Sequence, residues 1–189
     1  MKCESLMIRK SVKVSILIFT TLLLFRGQVF RLVIKYEAIK ERSLNSKIDK
    51  KLKRTIHDEI KNIEQIDLNK IIEISSSLTN QYLHFSFQNH PQDLSSLVKT
   101  GDANCIGYAR LFSSIAKYII QEEQISNQFE VKHLVGEIYF LGWDIHQLFN
   151  SAFFKDHDYV AIYDKLKNKT IYFDPSVSDY FWINSVRGE

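Results

Sequence analysis

One thiol, one imidazole and one carboxylate in this chain of 189 residues sit where they could act together. Cys105 opens the apolar stretch CIGYARLFSSIAKYII, directly after the turn-forming residues GDAN. An Asn or Asp there is a good helix cap, so the pattern predicts Cys105 in the first turn of a helix. Unpaired first-turn N–H groups and the positive end of the helix dipole favour a thiolate at that position. The same groups can hold the oxyanion of a tetrahedral intermediate. A lone cysteine in an apolar helix is more often a small core residue, so position alone does not make Cys105 a nucleophile. Thiol catalysis also needs a base beside the sulfur and a third group that orients the base.

Two strand ends offer those groups. His157 opens HDYVAIYD, and Asp174 closes TIYFD one step before Pro175. If these strands pair through the KLKN turn, the start of the first and the end of the second meet at one sheet edge. A carboxylate there can hold the imidazole and stabilise its protonated form. Rivals are visible nearby. His146 beside Asp144 is a second candidate base, in a poorer strand context, and Asp179 is a second candidate third group. Asp156 and Asp158 flank His157, either solvated or close enough to raise its pKa. His57, His84, His90, His133 and His146 show no ligand spacing and read as solvated or core histidines, so no metal and no cofactor are expected. Cys3 and Cys105 are too few for a disulfide scaffold or a zinc site. Neither a Gly-rich phosphate loop nor a base-stacking pattern is present, and no nucleic-acid partner is expected. The NKT at Asn168 is a glycosylation sequon in a secretory host and an ordinary turn elsewhere.

The elements that must position these groups follow from periodicity. From Tyr36 to about Lys61, apolar residues recur at intervals of four or five, giving one thin stripe on helices. Asp67 to about Leu83 reads as a helix with a capping-type start, and Asp93 to Val98 as a short helix within a polar connection. In the cysteine helix, Ala109, Phe112, Ile115 or Ala116, and Ile119 share a face, while Gly107 and Ala109 keep the first turn slim. Phe129 to Phe140, Asp158 to Asp164 and Lys169 to Ser176 read as strands, the last two as an antiparallel hairpin. Trp143 to Phe154 fits either a short helix or an irregular crossing, and Tyr180, Phe181 and Trp182 read as core or rim packing. Helices, a Cys-bearing helix and then a small antiparallel sheet define the α+β class.

The pieces NCIGYARLF, HDYVAIYD and IYFDPSVSDYF together resemble the transglutaminase-like (papain-like) cysteine-enzyme superfamily. Its core has a cysteine at a helix start, a histidine opening a strand and an aspartate closing the next, often as Asp-Pro. The separations, 52 residues from Cys105 to His157 and 17 on to Asp174, suit that layout. The resemblance covers roughly residues 90–182. It departs at Tyr159, where family members usually carry tryptophan, and the short tail after Asp174 sets the expectation that the C-terminal β-domains of the large animal enzymes are missing. It implies acyl transfer through a thioester on a glutamine carboxamide or peptide bond of a protein or peptide substrate. Cys105 would be nucleophile, His157 base and acid, and Asp174 the orienting group. Asn104 and Gln92 are the candidates for an oxyanion donor, and Tyr159 for a substrate contact.

Charge separates the two ends of the chain. The first 54 residues hold 14 Lys and Arg against 4 acidic residues, a balance of +10, and the rest carry −7. A basic start, the uninterrupted apolar run Val14 to Phe25 and further basic residues downstream suit a membrane-adjacent anchor that is not cleaved. Twelve apolar residues fall short of the ~20 that span a bilayer comfortably. Basic residues on both flanks leave orientation nearly balanced, with export of the catalytic part slightly favoured. The expected organisation is an anchor over 1–35, a helical segment over 36–90 and a transglutaminase-like core over 91–189. Two functions fit: a membrane-tethered thiol acyl-transfer enzyme, or a non-catalytic binding or assembly module that keeps the fold.

Overall fold

The structure, a computed structural model, describes residues 2–44, 47–149 and 155–189, with side chains from residue 12 onward. The side chain of Cys3 and residues 150–154 of the Trp143–Phe154 stretch therefore lie outside what it describes. Two helices open the chain, α1 (Lys2–Leu24) and α2 (Arg26–Val33), followed by strand β1 (Ile34–Arg42). Next come α3 (Lys50–Ile60), α4 (Leu68–Tyr82), β2 (His84–Phe85), α5 (Leu94–Thr100), β3 (Asp102–Ala103) and α6 (Cys105–Glu122). The C-terminal third holds β4 (Phe129–Phe140), β5 (Trp143–Asp144), a 3-10 turn over Ile145–Leu148, β6 (His157–Asp164), β7 (Lys169–Phe173) and α7 (Pro175–Phe181). The α+β class is as the sequence predicts.

An antiparallel sheet in the order β1-β4-β6-β7, with β5 folded back on the end of β4, carries the architecture. β6 and β7 form the expected hairpin, closed between Asp164 and Lys169. β2 and β3 make a separate parallel pair that leads into α6. Helix α6 is the centre of the core. Its buried residues, Ala109, Phe112, Ile115, Ala116 and Ile119 among them, pack between α3, α4 and α5 on one side and Val160, Ile162 and Phe173 of the sheet on the other. Each fully buried Phe, Ile or Val side chain here contributes about 1.5–3 kcal/mol. The opposite sheet face carries a second cluster of Tyr36, Leu134, Tyr159, Ala161 and Val186, with Phe30 of α2 against it.

The expectation of helices from residue 36 onward is corrected by β1. Its signal is a period of two, with Ile34, Tyr36 and Ala38 alternating with Lys35 and Glu37, and only Lys50–Ile60 of that region is helical. The charged residues of this stretch sit on an edge strand, where charge blunts pairing with other chains. The expected anchor also differs in shape. Among the described residues no single helix is long and apolar enough to cross a membrane; Val12–Leu24 and Arg26–Val33 meet length and composition only as a pair bent by 76°. Large apolar side chains from Val12 to Phe25 are exposed, Leu17 at 67% and Phe19 at 63%.

Candidate active site

Helix caps set the geometry. The Asn104 side chain accepts from Ile106 N–H (3.1 Å) and Gly107 N–H (3.4 Å), which fixes the start of α6 and places Cys105 at its first residue. The cap takes those two N–H groups of the first turn. Gly107 is required here by close packing, because a Cβ at that position would lie 2.6 Å from Ala103 and 2.9 Å from Leu97. Cys105 is a free thiol, 5% exposed.

Asp174 performs two tasks with its two oxygens. Oδ1 caps α7, accepting from Ser176 N–H (3.0 Å), Ser176 Oγ–H (2.7 Å) and Val177 N–H (3.2 Å), with Pro175 at the first helical position. Oδ2 faces the other way, 2.6 Å from His157 Nε2 and 2.8 Å from the Tyr36 hydroxyl, which donates to it. The carboxylate is wholly buried. Burial alone would raise its pKa, but the imidazole of His157 and the bonds from His157, Ser176 and Tyr36 outweigh that and hold it below the ordinary carboxylate value. His157 shows the mirror image. Burial would disfavour its charge, yet the Asp174 carboxylate and then the neighbouring Cys105 hold the imidazole well above its usual value. Tyr36 is pushed upward by burial and by Asp174, so its hydroxyl stays a donor.

The sequence-derived trio of Cys105, His157 and Asp174 is thus brought together at one end of the sheet. Tyr36 is the residue that sequence reasoning missed. It arrives on β1, with its ring 5.7 Å from His157 and 5.1 Å from Tyr159. The alternation around it was the available signal. Tyr159 does not reach a substrate-facing position: it is fully buried in the second cluster, with its hydroxyl unpartnered. Asn104 acts through its carbonyl oxygen as a helix cap, and Gln92 receives Arg110 at 3.5 Å. The rival groups make other bonds, although His146 also lines a cavity shared with His157. His146 Nε2 accepts the Ile138 N–H at 2.8 Å, and Asp179 accepts from Tyr108 at 2.7 Å.

A second buried network braces the first. Asp158, next to His157, accepts from Arg42 Nε (2.5 Å) and Nη2 (3.0 Å) and lies 2.6 Å from His133 Nε2. Burial works against its charge, but the bonds from His133 and Arg42 prevail and keep the carboxyl below its ordinary value. Arg42 and His133 are direct cross-strand partners of β1 and β4, so this network ties β1 to β6 across β4. It holds the strand that carries Tyr36.

An apolar cavity of about 520 Å³ opens beside the imidazole, walled by Phe85, Ile138, Ile145, Val177 and Phe181, with His157 as one side. A larger cavity of about 660 Å³, lined by Asn69, Glu73, Asn80, Trp182 and Asn184, lies away from the thiol. Among the described residues no cluster of His, Cys, Asp and Glu could hold a metal ion. Chemically, the first-turn thiol with an imidazole held by a buried carboxylate can run nucleophilic attack and proton transfer. No family model, curated protein or solved structure matches this chain.

Proposed function

We propose that the chain is a thiol-dependent acyl-transfer enzyme of the transglutaminase-like kind, associated with a membrane through its N-terminal helices. The observation that carries the reading is the 2.6 Å bond from His157 to the buried Asp174 carboxylate, on an imidazole whose charge Cys105 also favours. In the reaction, the Cys105 sulfur forms a C–S bond to the substrate carbonyl carbon, and the π electrons move to the oxygen. His157 holds the thiol proton; the Cys105 N–H and the positive end of α6 face the developing oxyanion. Collapse of the intermediate breaks the bond to the leaving nitrogen or oxygen, which takes the proton from His157. Water or an amine then attacks the thioester with His157 as base, and the thiol returns. Asp174 keeps the ring oriented and its cation stabilised throughout. The resemblance points to glutamine carboxamides or peptide bonds as the carbonyl attacked, and the exposed apolar stretch of α1 supports membrane association.

Exposure of the full chain to p-nitrophenyl acetate tests the reading. The expected result is a burst of about one equivalent of nitrophenolate with one acetyl group mapped to Cys105, absent in Cys105→Ala and slowed about 100-fold or more in His157→Ala. Equal acetylation of Cys105 in wild type and His157→Ala would favour a non-catalytic binding module instead.

A further inference from the structure

The cavity beside His157 has no task in the thiol chemistry itself. Its 520 Å³ lies within the range of roughly 300–1,000 Å³ typical of small-molecule sites, and its lining is mainly apolar, with His146, Asp156, His157 and Ser176 as its polar members. One wall is tied to the N-terminal helices. Arg26, at the bend between α1 and α2, donates from Nε to the backbone oxygen of Phe181 at 2.8 Å, and its guanidinium lies 5.8 Å over the Trp182 ring. Phe181 therefore faces the cavity and is also hydrogen-bonded, through its carbonyl, to the end of the exposed apolar run Val12–Phe25. Phe87 on the cavity wall, Phe181 and Trp182 are exposed at 70%, 60% and 70%, an apolar rim at the foot of that run.

We propose that this cavity takes the hydrocarbon chain of a membrane-resident acyl donor, so that the acyl carbonyl rests between Cys105 and His157. The proposal rests on the thiol acyl-transfer reading and names its donor class. Its occupant follows from continuity: an apolar pocket at the catalytic imidazole, one wall of which is bonded to the helix end that would lie at a bilayer surface. An acyl chain leaving the bilayer there would exchange one apolar environment for another, while only its polar carbonyl enters the buried polar site.

Acylation of the full chain in lipid nanodiscs by p-nitrophenyl acetate, p-nitrophenyl octanoate and the p-nitrophenyl ester of N-acetylphenylalanine tests this. In each, the Cys105 S–C bond forms and the bond to nitrophenolate breaks. A buried methylene multiplies affinity roughly fourfold, so burying even three of the extra methylenes of octanoate gives about 60-fold. The expected result is an octanoate rate at least about 30-fold above acetate, and above the phenylalanine ester, in the wild type. Ile145→Trp, which fills the cavity, should bring octanoate to within about threefold of acetate, both measured in that variant. Because both proteins share one bilayer composition, partitioning of octanoate into lipid cannot produce that difference. Phe87→Ser, at an exposed wall position, should lower the octanoate preference without risk to the core. A reactive thiol that shows no octanoate preference, a preference that survives both substitutions, or a phenylalanine ester that wins would overturn the acyl-chain assignment and leave the thiol chemistry standing. Slow acylation by all three esters would instead sink the catalytic reading itself.

Discussion

Asp174→Asn separates the two tasks that one buried carboxylate performs. Asn caps helices about as well as Asp, so the three bonds that Oδ1 makes to Ser176 and Val177 survive the change. The loss falls on Oδ2, where an amide N–H₂ would face two donors, His157 at 2.6 Å and the Tyr36 hydroxyl at 2.8 Å. Each is a charge-assisted bond worth about 1.5–3 kcal/mol, and removal of one partner of a buried ion pair costs about 3–5 kcal/mol. We take ~3–5 kcal/mol, since His157 can shed its proton rather than stay charged beside an amide. At about 2–4 °C per kcal/mol for a chain of this size, the melting temperature falls by roughly 6–20 °C. The pH dependence has a definite sign. Asp174 has a depressed pKa when folded, so its contribution is present above the unfolded value of ~3.9 and is lost as pH falls through the folded value. His157 has a raised pKa when folded, so its contribution is full below ~6.5 and is lost as pH rises through the folded value. The gap between wild type and Asp174→Asn is therefore widest between about pH 4 and 6.5 and narrows on either side. Denaturant melts across that range, with Asp174→Ala as a control that also loses the cap and about 1 kcal/mol more, give the comparison. A gap under 1 kcal/mol, or one that does not vary with pH, would refute the assignment of Oδ2 to a charged imidazole.

Other consequences are as direct. Tyr36→Phe removes one donor from the buried carboxylate and should cost about 1.5–3 kcal/mol by thermal melting; its effect should be sub-additive with Asp174→Asn, because both act on Oδ2. Gly136→Ala would place a Cβ 2.1 Å from the Glu37 carbonyl oxygen, so it should separate β1 from β4 and release the Tyr36 hydroxyl, with faster amide exchange along β1 as the readout. Arg42→Leu leaves the Asp158 carboxylate buried without its two-pronged partner and should destabilise the fold by about 3–5 kcal/mol in urea. Asn104→Ala removes the α6 cap and should cost about 0.5–2 kcal/mol while also slowing acylation of Cys105, which shares that first turn.

The parts of this site legible in the sequence were those governed by local rules. A cap followed by an apolar helix placed Cys105, and two strands with a four-residue turn brought His157 opposite Asp174, because both patterns act within a few residues of the group concerned. Tyr36 was hidden because strand pairing is not local. Nothing between residues 36 and 61 says that an edge strand returns to pair with Phe129–Phe140 nearly a hundred residues later, and the charges at Lys35, Glu37, Lys40 and Glu41 obscured a short alternation. Asp158 was read as solvated or as a perturber of His157 because its partners, Arg42 and His133, come from two other strands. Tyr159 was assigned a substrate contact through resemblance, whereas alternation along β6 turns it into the second cluster. The N-terminal helices showed their apolar content plainly, but no sequence rule announced the 76° bend.

The central claim is that Cys105 is a nucleophile because His157 is held against it by Asp174. Its most direct test is the second-order rate of iodoacetamide addition at Cys105, mapped by peptide mass spectrometry, from pH 5 to 9 in wild type and His157→Ala. The rate at pH 6 should be at least about tenfold higher in the wild type, because an adjacent imidazolium favours the reactive thiolate. Superimposable profiles that both rise only near the ~8.5 of a free cysteine would contradict it.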